Sequence, residues 1–224
     1  MKHLAELLAF DVNETLLDLR ALDEPFTAVF GDASLRPVWF QTMLQLSFVG
    51  GITGEYIDFT TAQHAALGML ARRAGLELTP AAAESVVSTM RRLPPHPDVL
   101  PALTRLRDAG FRCVTLTNSP LAVVQDQLAF AGLSGLFDDV ISADEVKQLK
   151  PGAAPYRLVA ERAGVPIASV RLIAAHGWDI SGALAAGARA AFVARPGAML
   201  NSAGRQPDII APDLGGIADS LLAG

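Results

Sequence analysis

Leu7–Thr15, LLAFDVNET, decides how the rest of the chain is read. Four apolar residues, Leu7 to Phe10, stop abruptly at an acid, Asp11. A short apolar run that ends at a turn reads as a buried strand of a parallel sheet. In an open α/β sheet, ligands bind outside the carboxyl ends of the strands. Asp11 falls at such an end, where a carboxylate serves as base, metal ligand or nucleophile. It equally serves as a cap for the next element, a common use of Asp after a strand.

Outward from this strand, residues 19–93 look helical. Leu35–Val49 is rich in long apolar and aromatic residues, among them Trp39, Phe40, Leu44 and Phe48, and Gly50-Gly51 is expected to break it. Ala62, Ala65, Ala66, Met69 and Leu70 share one face of a helix over Thr60–Ala74. Thr79-Pro80 opens another helix, with Thr79 as its N-cap. The aromatic stripe reads as ordinary core packing, or, at Trp39 and Phe48, as an exposed face for a homodimer. Leu93-Pro94-Pro95-His96-Pro97 is a stiff boundary. Beyond it strands (Phe111–Leu116, Asp139–Ser142, Val170–Ala174, Ala190–Val193, Ile209-Ile210) alternate with helices, among them one over Ser181–Ala186 that ends at Gly187. That pattern predicts βαβ units, a Rossmann-like parallel sheet with helices on both faces. The expected organisation is a core of residues 1–16 and 95–224 with a helical cap, 17–94, inserted after the first strand.

Composition narrows the function classes. The 224 residues are 51% hydrophobic and 18% charged, enough for a sizeable core, and the net charge is −5. No basic run suggests nucleic acid. No apolar stretch reaches the ~18 residues of a membrane helix. The N-terminus is too short and acidic for a signal peptide. A single cysteine, Cys113, excludes an internal disulfide and fits a cytoplasmic protein.

Three further polar clusters fall at strand ends or in the loops on that side: Thr117-Asn118, Lys150 and Asp179. Each alone has a plain reading, a turn for Asn118 and a solvated side chain for Lys150. Their order along the chain is far more specific. The stretches FDVNETLLD, VTLTNS, KP and GWDISGALAAG resemble the haloacid dehalogenase superfamily of hydrolases. That resemblance implies Asp11 as nucleophile, Thr117 as anion binder, Lys150 as the neutralising cation and Asp179 as the last-motif acid.

The superfamily's phosphatases carry a second acid two residues after the nucleophile and a further carboxylate for Mg²⁺. Here those positions hold Asn13, which cannot donate a proton as an acid, and Ala175. The chain instead resembles the metal-independent 2-haloacid dehalogenases, through Tyr156 after Lys150-Pro151, Trp178 before Asp179, and Tyr56–Phe59 in the cap. The resemblance implies no cofactor, no metal and a small carboxylate substrate. Asp11 displaces halide to form an ester, and water helped by Asp179 hydrolyses it. Thr15 joins the catalytic set. Asn118, Phe59 and Trp178 line the halide side, while Thr117 and the amides at Val12 and Asn13 hold the substrate carboxylate. Counting back from Tyr56, the cap arginine of that branch falls on Gly50. Ala174 and His176 replace its Ser and Asn, and His176 reads as a water-positioning residue or as a plain loop histidine. An altered phosphatase and a non-catalytic anion-binding homologue are the competing readings.

Overall fold

The computed structural model describes residues 7–223. Met1–Glu6, most of the N-terminal stretch discussed above, and Gly224 lie outside the described residues. Six strands, β1 (Leu7–Phe10), β2 (Arg112–Thr117), β3 (Asp139–Ser142), β4 (Val170–Ala174), β5 (Arg189–Val193) and β6 (Ile209–Ala211), form one sheet. Their order is β3-β2-β1-β4-β5-β6 and every neighbouring pair is parallel. Parallel pairs require crossovers, and the chain supplies helices for them. Connections run outward from β1 through β2 to β3, then return to β4 and run the other way. The reversal places a crevice at the carboxyl ends of β1 and β4, where such sheets bind ligands.

Side chains alternate across the sheet. Leu8, Phe10, Cys113 and Ile173 face α5 (Val99–Asp108), α6 (Leu121–Phe130) and α9 (Leu214–Ala223). Leu7, Ala9, Val114 and Leu172 face α7 (Ala153–Ala163) and α8 (Gly177–Ala186). Between β1 and β2 lie α1 (Asp23–Phe30), α2 (Leu35–Thr53), α3 (Phe59–Arg73) and α4 (Pro80–Thr89). Their apolar faces continue the core on the Phe10 side of the sheet. Asp58 caps α3 by accepting from the Thr60 and Thr61 amides, and the Thr79 hydroxyl accepts from Ala82 N–H with Pro80 in the first turn.

Two boundaries differ from the sequence reading. Gly50-Gly51 does not break α2, which runs on to Thr53 and ends at Gly54 in the left-handed region, φ 78°. A helical glycine weakens a helix by only about 1 kcal/mol, and packing overrides it. Gly50 is also needed there, since a Cβ would stand 2.6 Å from the Glu55 carbonyl oxygen. Second, α8 begins at Gly177 rather than Ser181, so Trp178 and Asp179 sit in its first turn. Trp39 does not form an exposed face. It is fully buried, with its indole N–H donating to the Gln63 carbonyl at 3.0 Å. Among the described residues no helix is long and apolar enough to cross a membrane.

Candidate active site

Three charged side chains meet at the switch point. The Lys150 ammonium donates to Asp11 Oδ1 at 2.9 Å, to Asp179 Oδ2 at 2.5 Å and to the Leu116 carbonyl at 2.8 Å. Asp11 is 4% exposed, Lys150 1% and Asp179 not at all. Buried charges persist only when paired and hydrogen-bonded, and this cluster satisfies both conditions. The other Asp11 oxygen, Oδ2, accepts from the Thr15 hydroxyl at 2.6 Å, and that hydroxyl accepts from Ala175 N–H at 2.8 Å. The other Asp179 oxygen accepts from the Tyr156 hydroxyl at 2.5 Å. This approach depends on Gly182, where a Cβ would stand 2.5 Å from the Tyr156 oxygen.

Asn118 is the clamp on Lys150. Its carbonyl oxygen accepts from Lys150 N–H at 2.8 Å and its amide donates to the Lys150 carbonyl at 3.2 Å. The Thr117 hydroxyl accepts from Ser119 N–H at 3.1 Å. The side chain of Asn13 turns away from Asp11, donating to the Ser119 hydroxyl at 3.2 Å and accepting from Gln127 at 3.0 Å. Val12 packs in the core. The backbone N–H groups of Val12 and Asn13 have no partner among the described residues, and buried unpaired amides are rare outside binding sites.

Beside this cluster, on the far side of His176, opens a cleft of about 550 Å³, lined by His176, Trp178, Phe40, Leu44, Arg36 and Glu14 among others. His176 is the lining residue that reaches Asp11. The imidazole Nε2 is 3.6 Å from Asp11 Oδ2 and 3.2 Å from the Asn13 carbonyl, while Nδ1 is 3.7 Å from the Glu14 carboxylate. The ring stacks between Phe40 and Trp178, with centroids 5.7 and 5.1 Å away. Phe48 meets Trp178 edge-on, and the Lys150 ammonium lies 5.8 Å from the Trp178 ring centre.

The haloacid dehalogenase-like hydrolase family matches residues 5–187. The chain belongs to that family. It is 29% identical to haloacetate dehalogenase H-2 of Moraxella sp. (strain B), over 92% of this chain and 93% of the relative. It is 31% identical to an (S)-2-haloacid dehalogenase of Xanthobacter autotrophicus, over 84% and 74%. The structure of the L-2-haloacid dehalogenase from Xanthobacter autotrophicus with chloropropionic acid covalently bound superposes with a TM-score of 0.91. The two are 27% identical, with 98% of each chain covered.

Within this family member, the electrostatics separate the two acids. Burial alone would push Asp11 up, but Lys150, His176 and the Thr15 hydroxyl outweigh it and hold its carboxyl below the usual range. Burial drives Asp179 up, and the nearby Asp11 charge adds to it, beyond what Lys150 recovers. Burial would lower Lys150, yet its two carboxylates keep it above its ordinary value of 10.5. Burial and the Asp179 charge hold the Tyr156 phenol protonated, well above its ordinary value. Among the described residues no group of three or more His, Cys, Asp or Glu is placed to hold a metal ion.

Asp11, Thr15, Lys150, Asp179, Tyr156 and Asn118 are thus joined in one hydrogen-bonded cluster, with His176 and Trp178 beside it and Thr117 at the end of β2. Gly50 does not join them. It lines a separate, smaller pocket with Tyr56, Lys147 and Leu149. Phe59 is buried in the core at the start of α3 and lies outside the cleft lining. Sequence reading missed Phe40 as a cleft wall, Glu14 beside His176, and Arg195. The Arg195 guanidinium donates to the Thr15 carbonyl at 2.9 Å and to Asp98 at 2.8 Å.

Proposed function

We propose that this chain hydrolyses the carbon–halogen bond of small 2-haloalkanoic acids, with Asp11 as nucleophile. One observation carries the reading: a buried carboxylate held ionised by Lys150 at Oδ1, while Oδ2 is the oxygen nearest the cleft-lining His176. Desolvation and fixed orientation make a carboxylate a competent nucleophile. Oδ2 attacks C2 in line, and the halide leaves with the bonding pair. An ester of Asp11 results. Water then adds to Cγ, and the negative charge that builds on Oδ1 is met by the Lys150 ammonium, already 2.9 Å away.

The remaining roles follow from placement. The free amides of Val12 and Asn13, with the Thr117 hydroxyl, suit the substrate carboxylate. Phe40, Leu44 and Trp178 supply an apolar wall for the halogen and exclude water. Asn118 and Tyr156 act through Lys150 and Asp179. Residues 17–94 serve as the cap over a core of 1–16 and 95–224. The mechanism needs neither metal nor cofactor.

The test is a panel of 2-haloacids and phosphate esters, each with and without EDTA. Halide release from a haloacid should survive EDTA, and Asp11→Asn should abolish it. Single turnover in ¹⁸O-water should label Asp11, because the product's new hydroxyl oxygen comes from the enzyme. Label in the product alone, or Mg²⁺-dependent turnover of phosphate esters only, overturns the reading.

A further inference from the structure

The ester intermediate needs a base, and the geometry points to one that the motifs do not supply. Asp179 is poorly placed to meet water from the cleft. It is wholly buried, one oxygen is taken by Lys150 and the other by Tyr156, both at 2.5 Å. Its carboxylate is the rear wall that holds Lys150. His176 stands on the open side. It lines the cleft, and Nε2 lies 3.6 Å from Asp11 Oδ2. Among the described residues, the side chains that touch the Asp11 carboxylate are Thr15, Lys150 and His176.

Resting on the haloacid reading above, we propose that His176 is the general base and then the general acid of ester hydrolysis, oriented by Glu14. The groups around the ring are acceptors: Asp11 Oδ2, the Asn13 carbonyl and the Glu14 carboxylate. In the proposed cycle the ring begins with a proton on each nitrogen, each facing one of these acceptors. Alkylation turns Asp11 into a neutral ester, so one of the two negative charges is gone. The ring releases the Nε2 proton to solvent, and Glu14 keeps the one on Nδ1. Nε2 is then an acceptor beside the ester, as the orienting carboxylate of a nucleophile–base–acid relay requires.

The proton count closes. Water gives one proton to Nε2 and its oxygen bonds to Cγ, with negative charge on Oδ1 against Lys150. The bond from Cγ to Oδ2 breaks, and Nε2–H delivers its proton to Oδ2, which departs as the hydroxyl of the product. Asp11, now carrying the water oxygen, is left as a carboxylic acid and returns its proton to His176. Net, one haloacid and one water give one hydroxy acid, one halide and one proton. Phe40 and Trp178 hold the ring by stacking and bring no charge. Of the other charged groups, Lys150 lies against Asp11 at Oδ1 and near the Trp178 ring, while Arg36 and Arg195 line the same cleft as His176, Arg36 paired with Asp23 and Arg195 with Asp98.

The experiment is rapid-quench mass spectrometry of the full chain with (S)-2-chloropropionate. In wild type the covalent adduct on Asp11 should form and decay. In His176→Gln and His176→Asn, both checked for native circular dichroism, it should form and then persist. Its hydrolysis should slow by about 10²–10⁴, the usual worth of a positioned base. Glu14→Gln should slow decay of the adduct while leaving its formation at the wild-type rate, because the ring loses the carboxylate beside Nδ1. Adduct decay at the wild-type rate in both folded His176 variants overturns the inference and leaves the nucleophile reading intact. So does slow decay confined to Asp179→Asn. No adduct in any protein with any haloacid overturns both.

Discussion

The floor and the roof of the cleft are built from opposite materials. The floor, beneath the cleft-lining His176, is charge: Asp11, Lys150 and Asp179, each buried, with Lys150 hydrogen-bonded to Asp11 after β1, to Leu116 of β2 and to Asp179 in the first turn of α8. The roof is ring and hydrocarbon: Phe40 and Leu44 of α2, with Phe48 packed on Trp178. Hydrogen-bonded charge tolerates no missing member, because the survivor is left unpaired in a low dielectric. Stacked apolar surface is graded, and a smaller side chain weakens it without breaking it. Chemistry therefore resides in the part that cannot change, and substrate choice in the part that can.

Lys150→Met is the sharpest way to break this contrast. It leaves two buried carboxylates facing one another, and the expected loss is about 3–5 kcal/mol of stability together with all turnover. Urea unfolding and halide release measure the two. Should stability survive, the floor is no more brittle than the roof. Titration reaches the same ammonium more gently. Lys150 is held above its ordinary 10.5, so its stabilising share is complete below that value and is lost as pH rises through the higher, folded one. Asp11, held below the carboxylate range, contributes in the opposite sense: its share is present above about pH 4 and fades as pH falls through its lowered value. Stability should thus lack any alkaline decline from Lys150 up to about pH 10, whereas Asp179, held above the carboxylate range, takes stability away as pH rises through its raised value. A melting series across pH tests it.

On the roof, Phe40→Leu should raise KM for a haloacid by an amount worth ~1–3 kcal/mol, as for a mismatched apolar pocket. Stability should fall by only about 0.5–1.5 kcal/mol, the worth of an aromatic pair. Steady-state kinetics beside thermal melts would show whether binding and stability separate here. The end of α2 sharpens the contrast without touching the cleft. Gly50→Ala should destabilise by about 1–3 kcal/mol, because its Cβ meets the Glu55 carbonyl. Gly51→Ala should stabilise by about 0.5–1 kcal/mol, since nothing stands within 4 Å and a helical glycine is entropically costly. Equal shifts in the two variants would mean that the packing at Gly50 is slack.

The order of polar residues at strand ends was readable because each motif follows an apolar run that names its own strand. β1 buries every side chain and stops at Asp11, and β4 does the same before His176. The start of α8 was not readable, because its first turn carries Trp178 and Asp179, whose side chains serve the site and so break the helical apolar pattern. Counting back from Tyr56 led to Gly50, but a helix advances by turns of about 3.6 residues, and linear counting does not say which face is presented. Phe40 faces the cleft and Gly50 faces a different pocket. The partnership of Glu14 with His176 joins two loops far apart in the chain, and no local spacing encodes it.

Arg195 sets the order in which this protein can come into being. Its guanidinium holds the Thr15 carbonyl from 180 positions further along the chain, and through Asp98 it reaches the first amide of α9, Leu214. Contacts of such long sequence separation form late, since the loop they close must first be brought together. On the ribosome, the strand that ends at Asp11 emerges well before Arg195 and waits for it. Until Arg195 arrives, the loop that carries Asp11 lacks this brace. Asp11 is thus kept from its braced position until synthesis has passed Arg195.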